Sequence, residues 1–144
     1  MKTRQFIAQV DRQRIETAIR DAEAQTSGEI RVVIHHRPVE DAVAFARQEF
    51  SRLGMQATRE RNAVLVLIAP ESQQFAVIGD EGVHRKCGDV FWRELAEAMT
   101  LPFKQGDFTA GLLAGIGRAG ALLATHFPRR PDDRNELPDQ VVEG

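Results

Sequence analysis

Residues Ala63 to Ala69, AVLVLIA, form an unbroken run of seven apolar residues rich in branched side chains, with Arg61-Asn62 before it and Pro70 after it. Seven residues are too few for an independent helix, and a strand with no polar positions leaves no face for water. The run therefore reads as a central strand covered on both sides. Pro70-Glu71-Ser72-Gln73 turns the chain back into a second apolar segment, residues 75–78, which makes a hairpin. A chain of 144 residues is long enough to build the covering layers within one domain.

Those layers are visible as periodic patterns. Ile15, Ala18, Ile19 and Ala22 recur at i, i+3, i+4 and i+7 after Asp11, and Thr26-Ser27-Gly28 ends that helix. Residues 29–36 alternate as a strand, with Ile30, Val32, Ile34 and His36 on one face and Arg31, Val33 and His35 on the other. Ala42, Ala46, Phe50 and Leu53 form a second helical stripe, closed by Gly54. Beyond the hairpin, residues 80–89 read as an acidic, Gly-punctuated loop. Trp92, Leu95, Ala96 and Met99 follow as a helix that stops before Pro102. Asp107 then caps a long helix carrying Leu112, Ile116, Ala119, Leu123 and Phe127. Strand, helix, strand and hairpin in that order predict an α/β fold, an α/β/α sandwich around a small mixed β-sheet in a single domain. The domain spans residues 1–128. Residues 129–144 are rich in Pro and charge, lack periodicity, and are expected to add little to the core.

Charge and composition exclude several classes of function. A net charge of -2, with Lys and Arg scattered along the chain, offers no surface for a phosphate backbone, so nucleic acid is not an expected partner. No apolar run approaches the ~18 residues of a membrane span, and the first residues do not pattern as a signal peptide, which gives a cytoplasmic expectation. A single cysteine, Cys87, cannot form an internal disulfide.

Several short motifs have simpler explanations than the chemistry they suggest. Gly115, Gly117 and Gly120 match the GxGxxG string but lie inside a helical pattern, where small residues for close helix packing are the better account. Cys87 and Arg93 have the spacing of a cysteine phosphatase loop, but Asp89, Phe91 and Trp92 between them would spoil a nest of amides around a phosphate. His35 and His36 are strand neighbours and point to opposite faces, which argues against one shared metal ion. No GxSxG elbow and no phosphate-binding GxxxxGK[ST] loop is present.

One acidic corner survives this filter. A turn centred between Glu71 and Ser72 sets Asn62 opposite Asp80 or Glu81, and the parallel crossover brings Ser27, Gly28 and Glu29 to the same edge of the sheet. With Asp89 in the loop above, these hard oxygen donors suit Ca²⁺ or Mg²⁺. The plainer alternative is that Asp89 caps the helix at Val90 and that Asp80 and Glu81 form a solvated turn, and spacing alone favours it. The rule that ligands bind beyond the carboxyl ends of parallel strands points instead to the opposite edge, near His35, His36 and Glu71.

TSGEIRVVI at the first strand, RNAVLVLIAP at the second, FAVIGDEGVHRKCGDVFW and LPFKQGDFTAGLLAGI together resemble the TPM domain family, in its short form found beside LemA-type membrane proteins. The resemblance runs from about Phe6 into the tail. It implies an α/β/α sandwich, divalent-cation binding and, in some members, acid phosphatase activity. The family's Asn-Gly before the second strand corresponds to Asn62-Ala63, with Ala in place of Gly, and its Gly-rich turn ending in Asp corresponds to residues 80–89. On that basis Asp80 and Asp89 are the expected ligands of a Ca²⁺ or Mg²⁺ ion, with Asn62 and Glu81 as further ligands. Asp80, Asp89 and Arg61 are the expected catalytic residues, Arg61 pairing with the phosphate of a phosphomonoester. The rival expectation is a noncatalytic adaptor for a LemA-type membrane protein or an envelope-stress protein.

Overall fold

The structure is a computed structural model that describes residues 1–129 and 141–144. Five α-helices and a four-stranded mixed sheet are formed by the described residues. In chain order these are α1 (Thr3–Gln9), α2 (Arg12–Glu23), β1 (Glu29–Ile34), α3 (Ala42–Arg52), β2 (Ala63–Ala69), β3 (Gln74–Gly79), α4 (Glu81–Lys104), α5 (Phe108–His126) and β4 (Val142–Glu143). A short 3-10 turn, Pro70–Ser72, links β2 to β3.

The sheet order is β3-β2-β1-β4. β1 runs parallel to β2, from Glu29 opposite Ala63 to Ile34 opposite Ile68, and β3 runs antiparallel to β2, with Val64 opposite Gly79. That hairpin register is the one expected from a turn centred between Glu71 and Ser72. All seven residues of β2 are buried. One face of the sheet, through Ile30, Val32, Val64 and Val66, packs on Ile15 and Ile19 of α2, Leu95 and Met99 of α4, and Leu112 and Ile116 of α5. The other, through Val33, Leu65, Leu67 and Ala76, packs on Ala42, Ala46 and Phe50 of α3, with Met55 after it. The result is the expected three-layer α/β/α arrangement.

Local signals account for the helix starts. The side chains of Asp11, Asp41 and Asp107 each accept a hydrogen bond from a first-turn N–H, from Arg14 (3.1 Å), Val43 (3.0 Å) and Ala110 (3.0 Å) respectively. The glycine string in α5 serves packing. A Cβ on Gly115 would lie 2.6 Å from Met99 Sδ, and one on Gly120 would lie 2.8 Å from Ala22 Cβ, whereas Gly117 faces open space.

Three expectations are corrected. Residues 81–87 are helical rather than a loop. They belong to α4, which is interrupted at Gly88 (φ 70°, ψ -177°), a conformation that glycine adopts without a Cβ clash. Pro102 does not end α4, which continues to Lys104. The proline sits in the last turn, where its missing N–H costs one intrahelical bond. The end of the tail joins the domain: Val141 is buried, and Val142 and Glu143 pair in parallel with Val33 and Ile34 of β1. Residues 130–140 of that predicted tail lie outside the described residues.

The last two glycines of the α5 string should respond in opposite ways to alanine. Gly117→Ala meets nothing and removes backbone entropy from the unfolded chain, so it should raise stability by about 0.5–1 kcal/mol. Gly120→Ala forces α5 away from α2 and should lower it by about 1–3 kcal/mol. Urea denaturation of the two variants checks the signs.

Candidate functional site

The corner at the amino ends of β1 and β2 is assembled from distant parts of the chain. Thr26 is fully buried between α2 and β1. Its hydroxyl lies within hydrogen-bond reach of Leu123 O (3.0 Å) and Phe127 O at the end of α5, and accepts from the Gly28 N–H (3.0 Å). The Ser27 N–H donates to Phe127 O (2.9 Å). These bonds fix Ser27 beside the start of β2, where the Asn62 side-chain amide donates to Ser27 Oγ (3.1 Å) and Ser27 Oγ donates to Glu60 Oε2 (3.2 Å). Asn62 itself is 1% exposed, and its N–H donates to Thr58 Oγ1 (3.2 Å). Its carbonyl oxygen, Oδ1, is buried with no hydrogen-bond partner among the described residues.

Asp80 arrives from the end of β3, its N–H donating to Ala63 O (2.9 Å). The carboxylate is buried and doubly engaged by Arg61, whose Nε donates to Oδ2 (2.8 Å) and whose Nη2 donates to Oδ1 (2.9 Å). Oδ1 also accepts the Glu81 N–H (2.8 Å), so Asp80 is the N-cap of α4. Glu81 is exposed, with Oε1 3.6 Å from Arg61 Nη1. The bonds from Asp80, with further pull from the charge of Glu81, raise the pKa of Arg61 above its ordinary value against the opposing effect of desolvation. The guanidinium is permanently charged.

The backbone here is held tightly. Arg61 has φ 52°, unusual for a residue with a side chain, and its carbonyl accepts the Gly82 N–H (3.0 Å). A Cβ on Gly82 would come within 2.4 Å of Glu60 O and 2.5 Å of Arg61 O, so only glycine lets α4 approach the 60–61 turn this closely. Spacing in the sequence marks neither Thr58 nor Glu60 as part of the corner. Both lie in an aperiodic polar loop that tertiary contacts fold back onto Ser27 and Asn62.

Of the residues expected from sequence, the fold brings Arg61, Asp80 and Glu81 together, with Asn62 at the adjoining strand end. Asp89 is not brought to them. It follows the Gly88 break, its side chain is 85% exposed, and its nearest charged partner is His84, with Nε2 3.6 Å from Oδ1. His84 Nδ1 accepts the Trp92 indole N–H (3.1 Å). Among the described residues no three His, Cys, Asp or Glu side chains converge as a ligand set. At the opposite edge, His35 and His36 hold the end of the chain instead of a ligand: His35 Nδ1 lies 2.7 Å from the Gly144 oxygen, and His36 Nε2 lies 3.6 Å from Glu143 Oε1.

This fold has counterparts among known proteins. The TPM domain family matches residues 1–122, and the chain belongs to that family. The chain is similar to the BA42 protein of the psychrophilic bacterium Bizionia argentinensis, with 41% identity over 92% of each chain and a TM-score of 0.85. The fold is shared at 22% identity by the N-terminal domain of cg2496 from Corynebacterium glutamicum, over 76% of this chain and 68% of that one, with a TM-score of 0.59. A P. gingivalis N-terminal domain shares it at 16% identity, over 81% and 75% of the two chains, with a TM-score of 0.57. No curated protein matches the chain.

Cys87 is half-buried, and its pKa is raised above the ordinary thiol value, first by burial and then by the charge of Asp89, against a backbone hydrogen bond that lowers it. A raised pKa leaves less thiolate at neutral pH, the reverse of an activated nucleophile. Alkylation by iodoacetamide should therefore be slower than for a free thiol at pH 7 and should accelerate as pH rises beyond the ordinary thiol range. Fast modification at pH 7 would contradict this assignment.

Proposed function

We propose that the corner binds a divalent cation, Ca²⁺ or Mg²⁺, and supports hydrolysis of phosphomonoesters. The observation that carries the reading is Asn62 Oδ1, a buried carbonyl oxygen without a donor among the described residues, at the start of β2, where the Asp80 N–H also bonds to Ala63 O. A buried acceptor without a partner costs about 1–3 kcal/mol, and a cation is the natural occupant of such a site. Asn62 Oδ1 and the Asp80 carboxylate would hold the ion, with Glu81 adding charge from outside. All are hard oxygen donors, which fits Ca²⁺ or Mg²⁺ and not a thiophilic metal.

A bound ion of this kind supplies Lewis acidity toward a phosphoryl oxygen and a more acidic bound water. Arg61 supplies recognition, because the planar fork that grips both Asp80 oxygens has the geometry to grip two phosphate oxygens. Glu60 accepts the Ser27 hydroxyl hydrogen, which leaves Ser27 Oγ to accept from the Asn62 amide and so holds the Asn62 side chain in place. Asp89, exposed beyond the Gly88 break and paired with His84, lies apart from these groups and takes no part in this scheme.

A second reading, the noncatalytic adaptor for a LemA-type membrane protein, is favoured by one observation. Arg61 neutralises Asp80 and Asp80 caps α4 in the same contact, so this carboxylate is satisfied without a ligand.

The two readings separate in a thermal-shift titration. Cation binding to the folded state alone should stabilise the protein by roughly 2.7 kcal/mol at ~100 times the dissociation constant. Asn62→Ala and Asp80→Asn should each remove that shift, while Asp89→Asn should retain it. A phosphomonoesterase assay should show turnover that chelator abolishes and Cys87→Ser leaves intact. No cation-dependent shift at millimolar metal, together with no turnover, would leave the adaptor reading standing.

A further inference from the structure

The end of the chain sits in a site built for an extended peptide. Two side chains of α2, one turn apart, take both backbone groups of Val141: Glu16 Oε2 accepts its N–H (3.0 Å), and Arg12 Nη2 donates to its carbonyl (2.9 Å). Arg12 also reads the side chain two residues on, with Nη1 2.5 Å from Glu143 Oε2. β1 reads the main chain: the Gly144 N–H donates to Ile34 O (3.1 Å), and the His36 N–H donates to the Gly144 oxygen (3.2 Å). Val141 is buried against a cavity of about 20 Å³ lined by Ile7, Ile15, Val32, Ile34 and Leu112.

This is strand addition to a sheet edge, in which main-chain hydrogen bonds provide attachment and pockets for individual side chains provide selectivity. The selectivity is explicit: a branched apolar residue in the socket, a second apolar residue, Val142, half-buried against the α3-side core, then a carboxylate facing Arg12 and His36. Among the described residues β4 is also the least extensively paired member of the sheet, with two residue pairs to β1 against six between β1 and β2 and six between β2 and β3.

We propose that the β1 edge is a peptide-docking groove and that residues 141–144 are its exchangeable resident. The occupant in trans is an extended segment of a partner protein with the pattern branched apolar, apolar, acidic. The groove lies at the carboxyl end of β1, opposite the cation corner, so it stands or falls independently of the proposed catalysis.

The test uses the full chain and a dye-labelled Ser-Gly-Val-Val-Glu-Gly peptide followed by fluorescence anisotropy. In wild type the tethered resident is present at an effective concentration of about millimolar and should exclude micromolar peptide. Val141→Asp puts a charge into the apolar socket, expels the resident, and should tighten peptide binding at least ~tenfold over wild type. Adding Arg12→Ala should reverse that gain. A peptide with Ile for its first Val should bind about fourfold tighter than the parent, the worth of one buried methylene in the space beneath Val141. Circular dichroism establishes that the variant is folded. If Val141→Asp does not fold, Glu143→Arg, which sets two positive charges against each other at Arg12, is compared with wild type in the same way. Equal peptide affinity of the released variant and wild type, or affinity indifferent to Arg12, overturns the proposal.

Discussion

Burial of β2 on both faces is the constraint on which the rest of the molecule depends. All seven of its residues are inaccessible to water, and β1 and β3 satisfy its two hydrogen-bonding edges. A strand of that kind admits no polar side chain along its length, since a buried polar group without a partner costs more than an apolar one contributes. Polar chemistry is therefore pushed to the two ends of the sheet. At one end stand Ser27, Asn62, Arg61 and Asp80, and at the other His35, His36 and the docked end of the chain. The three layers hold these ends apart and give each a rigid base.

The first end combines fields that rarely coincide. The N-terminus of α4 carries partial positive charge and Arg61 adds a full one, an arrangement that favours an anion. Asp80 cancels much of this through the same contact that caps the helix, and exposed Glu81 adds negative charge beside it. A cation alone would have to share Asp80 with Arg61, and a phosphate alone would have to share Arg61 with Asp80. A cation and a phosphate together exchange partners, the carboxylate turning to one and the guanidinium to the other, with the charges kept in balance. In the proposed phosphomonoesterase the metal, which binds alone by sharing Asp80 with Arg61, and the substrate would therefore strengthen each other's binding.

The framework was legible in the sequence because its signals are local and redundant. The apolar run of β2, the alternation in β1, the Asp caps of α2 and α5 and the hairpin register each follow from residues within a few positions of one another. The recognised motifs, too, lie on the strands and helices that build the sandwich. What was not legible depends on contacts between distant residues. Residues 81–87 carry one glycine in their first turn and a second just beyond, with a single buried apolar side chain, Val83. Their helicity comes from the Asp80 cap and from docking of Gly82 on the 60–61 turn. That helix replaces the loop that would have carried Asp89 over the corner. The strand formed by Val142 and Glu143 was illegible for the same reason: its partners Arg12 and Glu16 lie more than a hundred residues earlier, and two residues show no periodicity.

The short length of β4 also has a physical logic in its neighbour. β1 would otherwise offer a long edge of unpaired N–H and C=O groups, a template for unwanted strand pairing. Arg31 interrupts it. This side chain is only partly exposed on the α3 side of β1, and its pKa is lowered by desolvation first and by the nearby charge of Arg52 second. A charge held at a cost on the inward face of β1, outside the two residues paired with β4, discourages another strand from extending there. Among the described residues the pairing with β4 falls on the stretch from Val33 to His36, beyond Arg31, where α2 provides the Arg12 and Glu16 clamp. A guarded stretch followed by one short register of pairing is the property the proposed peptide groove requires.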